Sequence, residues 1–315
     1  MSAESPYETT PPLDPCTPSE GSDGDSPPQA AGLYIVATPI GNLRDITLRA
    51  RDVLAAADLV VCEDTRVTGK LLNACDLRRP MLSHHEHNAA ARRPEILKRL
   101  AEGATVALVA DAGTPLVADP GYKLVRAARA AGVPVRPVPG PSAVLAALMA
   151  AGLPSDRFFF QGFLPAKAAA RRATLAELAR VPATLVIYES PRRLGASLRD
   201  MAEALGGREA VVARELTKRF ETFEIGELDS LAARFATPPK GEVVVLVAPP
   251  GPAPAATTAE IDGRLRHWLA RLSTRDAVAA VVRETGAPRK AVYDRALALR
   301  ADSSEAPPES EGGPA

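Results

Sequence analysis

The sequence predicts two α/β domains followed by a small helical segment, and three observations carry that prediction. Between residues 33 and 247, short apolar runs alternate with Ala/Arg/Leu-rich stretches of helical period, the pattern of sheets with covering helices. Two Gly/Pro turns, Asp111 to Gly121 and Val138 to Ala143, each follow an apolar run. Such turns place bare backbone at the carboxyl end of a buried strand, where open α/β sheets bind ligands, so the pair predicts a ligand cleft. Beyond a Pro-rich stretch at 249–254, three further helical patterns lack any strand between them.

Taken in order, residues 31–140 form the first domain. Runs 33–37, 59–62, 104–110 and 133–138 read as strands, and 45–57, 68–75, 92–102 and 123–131 as helices, an alternation that argues a parallel sheet. The second domain, 141–248, begins with a helix at 142–151. It continues with strand 158–160, helix 167–179, strand 184–188, helix 192–204, strand 210–215, short strand 222–225, helix 228–235 and strand 242–247. Residues 249–257 form a stiff linker. Helices at 259–272, 274–284 and 288–299 make up a third segment, 258–301; Ser273 with Asp276 forms a capping box, Gly286 ends the second helix and Pro288 sits at the first turn of the third. The last two have the spacing of a helix-turn-helix. Residues 1–30 and 302–315 are Pro/Ser/Gly-rich, acidic and too poor in apolar side chains to fold, and read as disordered tails.

The formal net charge of zero conceals an asymmetry. The two tail stretches 1–30 and 301–315 hold ten acidic side chains and no Lys or Arg, so the rest of the chain carries 38 basic residues against 28 acidic ones. That surplus suits a polyanion, although an ordinary Arg-rich surface also accounts for it. No run of 18 apolar residues and no signal-peptide pattern occurs, which predicts a cytoplasmic protein with no membrane partner. Cys16, Cys62 and Cys75 form no CxxC pair, against a disulfide framework or a zinc site. The absence of GxGxxG excludes a Rossmann dinucleotide site.

The two turns, together with the first strand and its Thr38-Pro-Ile-Gly-Asn-Leu43 turn, resemble the tetrapyrrole methylase superfamily of S-adenosylmethionine (SAM) enzymes. Within it the chain is similar to the branch that methylates ribose in small-subunit ribosomal RNA. Further stretches carry the likeness: Cys62-Glu-Asp-Thr-Arg66, His85-Glu-His-Asn88, Phe158 to Pro165, Tyr188 to Leu194 and Ala213 to Lys218. The resemblance implies a cofactor cleft between the α/β domains, 2′-O-methylation of a cytidine ribose in 16S rRNA of the small ribosomal subunit, and a homodimer. It also implies SAM contacts at Asp111, Gly113, Thr114, Pro115, Leu116, Val117, Ser142, Ala143 and Tyr188. Thr114 stands where the superfamily has Asp. By the same likeness the first turn lines the acceptor side, with Gly41 and Asn42 toward the target nucleotide; a plain turn is the competing reading.

Three other clusters bear on chemistry. Glu63, Asp64 and Arg66 follow a buried strand. One carboxylate would take the 2′-hydroxyl proton while Arg66 holds a phosphate, or the three form a structural ion pair; the two readings weigh equally. His87, in His84-His-Glu-His87, suits RNA contact or proton transfer more than metal, for which two imidazoles lack a third ligand, and a surface loop is the alternative. Arg192, Arg193, Arg214, Lys218 and Arg219 follow strands of the second domain, and Arg289, Lys290 and Arg295 lie on the last helix. All suit RNA phosphates, with Lys167, Arg171 and Arg172 extending the track; salt-bridged helix starts, or a helical cap packing on the body, explain them as well. Two rival functions remain: a precorrin-type C-methyltransferase, and a non-catalytic helix-turn-helix protein that senses a small ligand.

Overall fold

The computed structural model describes residues 30–118, 121–251 and 256–304, with the side chains of 301–304 left out. The expected tails at 1–29 and 305–315, Cys16 and linker residues 252–255 lie outside the described residues. Two compact units divide between Pro249 and Pro250.

The first unit holds two five-stranded sheets. Strands β1 (Gly32–Val36), β2 (Leu59–Cys62), β3 (Met81–Ser83), β4 (Thr105–Val109) and β5 (Val135–Val138) form a wholly parallel sheet of order β3-β2-β4-β1-β5. Strand β3 is an addition to the sequence reading. Its three residues, with Met81 exposed, are too few to show a period. Helices α1 (Leu48–Ala56) and α2 (Thr65–Ala74) cover one face, and α3 (Ala89–Ala101) and α4 (Tyr122–Ala130) the other. Alternate side chains of a strand point to opposite faces, and β1 shows it: Tyr34 and Val36 pack with Val53 and Leu54 of α1, while Leu33 packs with Ile96 and Leu124 of α3 and α4. The expected helix at 45–57 divides. Asn42 caps a 3-10 turn, Leu43–Asp45, and Thr47 caps α1 by accepting from the Ala50 N–H at 3.1 Å.

After α5 (Ala143–Ala150), the second sheet runs through β6 (Phe158–Phe163), α6 (Ala168–Leu178), β7 (Thr184–Glu189), α7 (Leu194–Leu205), β8 (Glu209–Arg214), β9 (Thr222–Glu227), α8 (Leu228–Arg234) and β10 (Val243–Val247). Its order is β6-β7-β10-β8-β9, and only β6 and β7 are parallel; β10 lies antiparallel between β7 and β8. Val243, Val245 and Val247 of β10 face α6, α7 and α8, whereas Val244 and Leu246 face α5. That second core also takes in Ile40 from the first domain's turn.

The second unit consists of α9 (Thr258–Leu269), α10 (Thr274–Thr285) and α11 (Arg289–Ser304), packed around Leu265, Val278, Val281, Val292 and Ala296. The reciprocal capping box belongs to Thr257 and Glu260 at the start of α9; Ser273 caps α10 by accepting from the Asp276 N–H at 3.2 Å. Gly286 ends α10 with φ of 67°, the left-handed conformation that glycine adopts without steric cost. Helix α11 runs past the expected helix end at 299 and segment end at 301, to Ser304.

Candidate active site

A cavity of about 510 Å3 opens where the carboxyl ends of β1 and β4 meet the start of α5 and the strands of the second sheet. Hydrogen bonds brace the turns beside it. Thr38 and Gly113 exchange N–H···O bonds of 2.9 and 3.0 Å, the Thr38 hydroxyl donates to the Ala110 carbonyl at 3.1 Å, and the Thr114 hydroxyl donates to the Pro141 carbonyl at 3.0 Å. The last bond ties the two Gly/Pro turns together, and the others tie the turn after β1 to the first of them. Gly113 sits at φ of 78°, and a Cβ there would lie 3.2 Å from Cγ2 of Ile40. Leu116 and Ala118 also hold positive φ, 72° and 61°, a conformation seldom kept by residues with side chains outside functional loops.

Of the residues expected to contact cofactor, Gly113, Thr114, Val117, Ser142, Ala143 and Tyr188 line this cavity. Ser142 caps α5, so the helix N-terminus with its free N–H groups lies at the wall. Tyr188 stands edge-on to Phe160 and Phe163, with ring centroids 4.9 and 5.5 Å away. The other three lie elsewhere: Pro115 is buried, Leu116 packs toward Gly121 and the α3/α4 core, and Asp111 lines a different hollow. The sequence reading missed Ile40, Ala112, Ala118, Phe163, Glu189, Ser190, Pro191, Leu216, Glu242, Val243 and Val244. Glu189 to Pro191 directly follow Tyr188 within one motif; Val243 and Val244 belong to a plain apolar strand and carry no local signal.

Glu189 is a buried carboxylate with its charge fully met. It accepts from the Ser190 N–H at 2.6 Å, from the Ser197 hydroxyl and from Arg193 Nη2 at 2.7 Å. Arg193 is therefore engaged inward, while Arg192 is exposed. Lys218 spans Glu215 and Glu242, 2.9 Å from each; burial pulls its ammonium pKa down, but the two carboxylates outweigh it and hold the value above the ordinary 10.5. Arg214 donates to the Thr222 hydroxyl and the Lys240 carbonyl, both at 3.2 Å. Arg171, expected on a basic surface track, is buried and bound to Asp200 at 2.5 Å, with Arg172 on the same carboxylate at 3.5 Å. Lys167 and Arg219 are exposed. In the helical unit Arg289 and Lys290 are exposed, whereas Arg295 forks onto Asp262.

Asp64 serves as the α2 cap, accepting from the Arg66 N–H at 2.8 Å, and pairs with the Arg66 guanidinium at 2.6 Å. That side-chain bond, with help from the backbone N–H, holds its carboxyl at about 2. Glu63 is exposed. Asn42 accepts from the Arg44 N–H at 3.1 Å, and Gly41 packs on Lys218, where a Cβ would fall 2.5 Å from the lysine Cγ. His87 is exposed and edge-on to His85 at 5.9 Å; His84 is buried, and burial lowers its pKa. Among the described residues, no three His, Cys, Asp or Glu side chains gather to hold a metal, and no helix is long and apolar enough to cross a membrane. Cys62 and Cys75 are buried free thiols.

The family model for Tetrapyrrole (Corrin/Porphyrin) Methylases matches residues 32–232, and that for the RsmI C-terminal HTH domain matches 255–300. A Mesorhizobium japonicum protein named Ribosomal RNA small subunit methyltransferase I is 51% identical over 281 residues, covering 88% of this chain and 95% of the relative. The protein of that name from Escherichia coli O157:H7 is 45% identical over 269 residues, with 84% and 94% covered. Two solved structures share the fold: diphthine synthase (TM-score 0.55, 18% identity, 69% of this chain and 89% of that one) and cobalt precorrin-4 methyltransferase (0.51, 20%, 69% and 94%).

Proposed function

The chain belongs to the tetrapyrrole methylase family, in the group named ribosomal RNA small subunit methyltransferase I, and on that footing we propose that it transfers a methyl group from SAM to the 2′-hydroxyl of a cytidine ribose in 16S rRNA. The observation that carries this reading is the single cavity lined by six of the nine expected cofactor residues.

The residues fit the cofactor. The Gly113 backbone admits close approach, and the N–H groups at the start of α5 suit a carboxylate. Tyr188 and Val244 offer apolar faces. When bound, SAM supplies a sulfonium methyl already activated toward an oxygen nucleophile. The chain's own task is then to hold the acceptor ribose in line and to keep water out, which by itself supplies a large share of such rate enhancements. Asp64, capping α2 and paired with Arg66, orders the turn beside the site and is a poor proton acceptor at a pKa of about 2.

Arg192, Arg289 and Lys290 are exposed cations suited to rRNA phosphates. Leu145 and Met149 of α5, with Phe158, Phe159 and Phe163 of the edge strand β6, leave apolar surface exposed, which supports a homodimer. The protein would act in the cytoplasm on assembled small subunits. The test is mass-spectrometric mapping of 16S rRNA ribose methylation in cells with and without the gene, paired with transfer from tritiated SAM to unmethylated small subunits by the purified protein. A map unchanged by deletion refutes the proposal.

A further inference from the structure

Asp111 lines a second hollow of about 240 Å3 with Gly41, Leu43, Val67, Lys70 and Leu71. This hollow and the large cavity share a wall. Along the first turn Ile40 faces the large cavity and Gly41 the small one; along the second, Gly113 and Thr114 face the large cavity, and Ala110 and Asp111 the small one. The Thr38–Gly113 bridge joins the two segments. A molecule in the small hollow would therefore lie one layer of backbone from the cofactor cavity.

The chemistry of the small hollow is that of a nucleobase site. Its volume falls below the roughly 300–1,000 Å3 of pockets that enclose a whole small-molecule ligand, and suits a single heteroaromatic ring. Leu43, Val67 and Leu71 provide apolar contact for ring faces, and Lys70 adds a cation. Asp111 is held in place because Oδ1 accepts the Asp64 N–H at 3.1 Å, and Oδ2 has no donor among the described residues. A carboxylate so fixed accepts a hydrogen bond from an exocyclic amine and repels a carbonyl oxygen. It thus favours cytosine, whose N4 is a donor, over uracil, whose O4 is an acceptor.

We propose that the small hollow receives the base of the acceptor nucleotide and that Asp111 selects cytosine through its exocyclic amine. The inference rests on the cytidine-ribose reading given above, and it makes Asp111 a specificity-determining residue for the acceptor. Sequence-specific recognition of RNA generally reads bases splayed from single-stranded segments, and a pocket one base wide beside the methyl donor meets that requirement.

The test uses the full chain, SAM and small subunits reconstituted with 16S rRNA bearing cytidine or uridine at the methylated position. Asp111→Asn keeps an oxygen for the Asp64 N–H but replaces the other with an amide donor. It should lower single-turnover transfer to cytidine by about 10- to 150-fold, the range for one hydrogen bond to a charged group, and narrow the cytidine-to-uridine ratio, with SAM affinity unchanged by calorimetry. Val67→Trp, at a residue 39% exposed, should fill the hollow and abolish transfer while SAM still binds; it decides the matter if Asp111→Asn fails to fold. Unaltered base preference with an active Val67→Trp enzyme overturns the proposal and leaves rRNA methylation standing, as does loss of SAM binding on Asp111→Asn. A wild-type protein inert on cytidine subunits overturns both.

Discussion

Replacing Asp64 by Asn removes a carboxylate while keeping the shape and the acceptor of the α2 cap, so it separates the two roles open to this residue. In the structure the Arg66 guanidinium and N–H hold the Asp64 carboxyl at about 2. Accepting a proton at pH 7 is then uphill by about five tenfold steps, whereas an effective general base is poised near the working pH. The Arg66 side chain is 87% exposed, so the ion pair adds little to stability. The expected result is a single-turnover transfer rate within about threefold of wild type, against the roughly 10²–10⁴-fold loss that removing a general base produces. The assay is rapid-quench transfer from tritiated SAM to unmethylated small subunits across the neutral pH range, with Glu63→Gln alongside. A loss of about a hundredfold or more in Asp64→Asn, with SAM and subunit affinities intact, would refute the reasoning. The depressed pKa has a second consequence. The unfolded carboxyl, at an ordinary 3.8, takes up a proton before the folded one, so the stability from this cap is complete above that value and lost as pH falls through about 2. An NMR titration of the Asp64 carboxyl with its midpoint near 4 would contradict the observed pairing.

Gly113→Val forces a side chain into the left-handed region, at about 1–2 kcal/mol for the backbone alone, and against Ile40; calorimetry should show at least about tenfold weaker SAM binding in a protein that circular dichroism finds folded, and undiminished binding would put the cofactor elsewhere. Asp200→Ala strands the buried Arg171 guanidinium and should cost about 3–5 kcal/mol in denaturant unfolding; a change under about 1 kcal/mol would mean that the pair is already solvated. Reversing the exposed Arg289 and Lys290 to Glu should flatten the salt dependence of subunit binding without changing the thermal melt, while Arg295→Glu, which opposes Asp262, should melt the helical unit; equal effects on binding and melting for all three would make the segment a packing element.

All the strands but β3, and both Gly/Pro turns, were legible in the sequence because their signals are local. Val-rich runs such as β4 and β10 are buried on both faces and so lack polar interruption, and Gly113 and Gly286 mark backbone conformations that other residues resist. The ligand cleft could be expected for the same reason, since a turn after a buried strand has few places to lie. What the sequence left open are choices made by distant partners. Glu189 and Arg193, Lys218 between Glu215 and Glu242, Arg171 on Asp200 and Arg295 on Asp262 each settle whether a cation faces RNA or the protein, and most of these pairings join residues more than 20 positions apart. Val243 and Val244 reach the cavity only because β10 inserts antiparallel between β7 and β8. Asp111 and Gly113 are two residues apart yet face different hollows: the Thr38–Gly113 bridge fixes which side of the turn each one meets, and that bond exists only once β1 and β4 have paired.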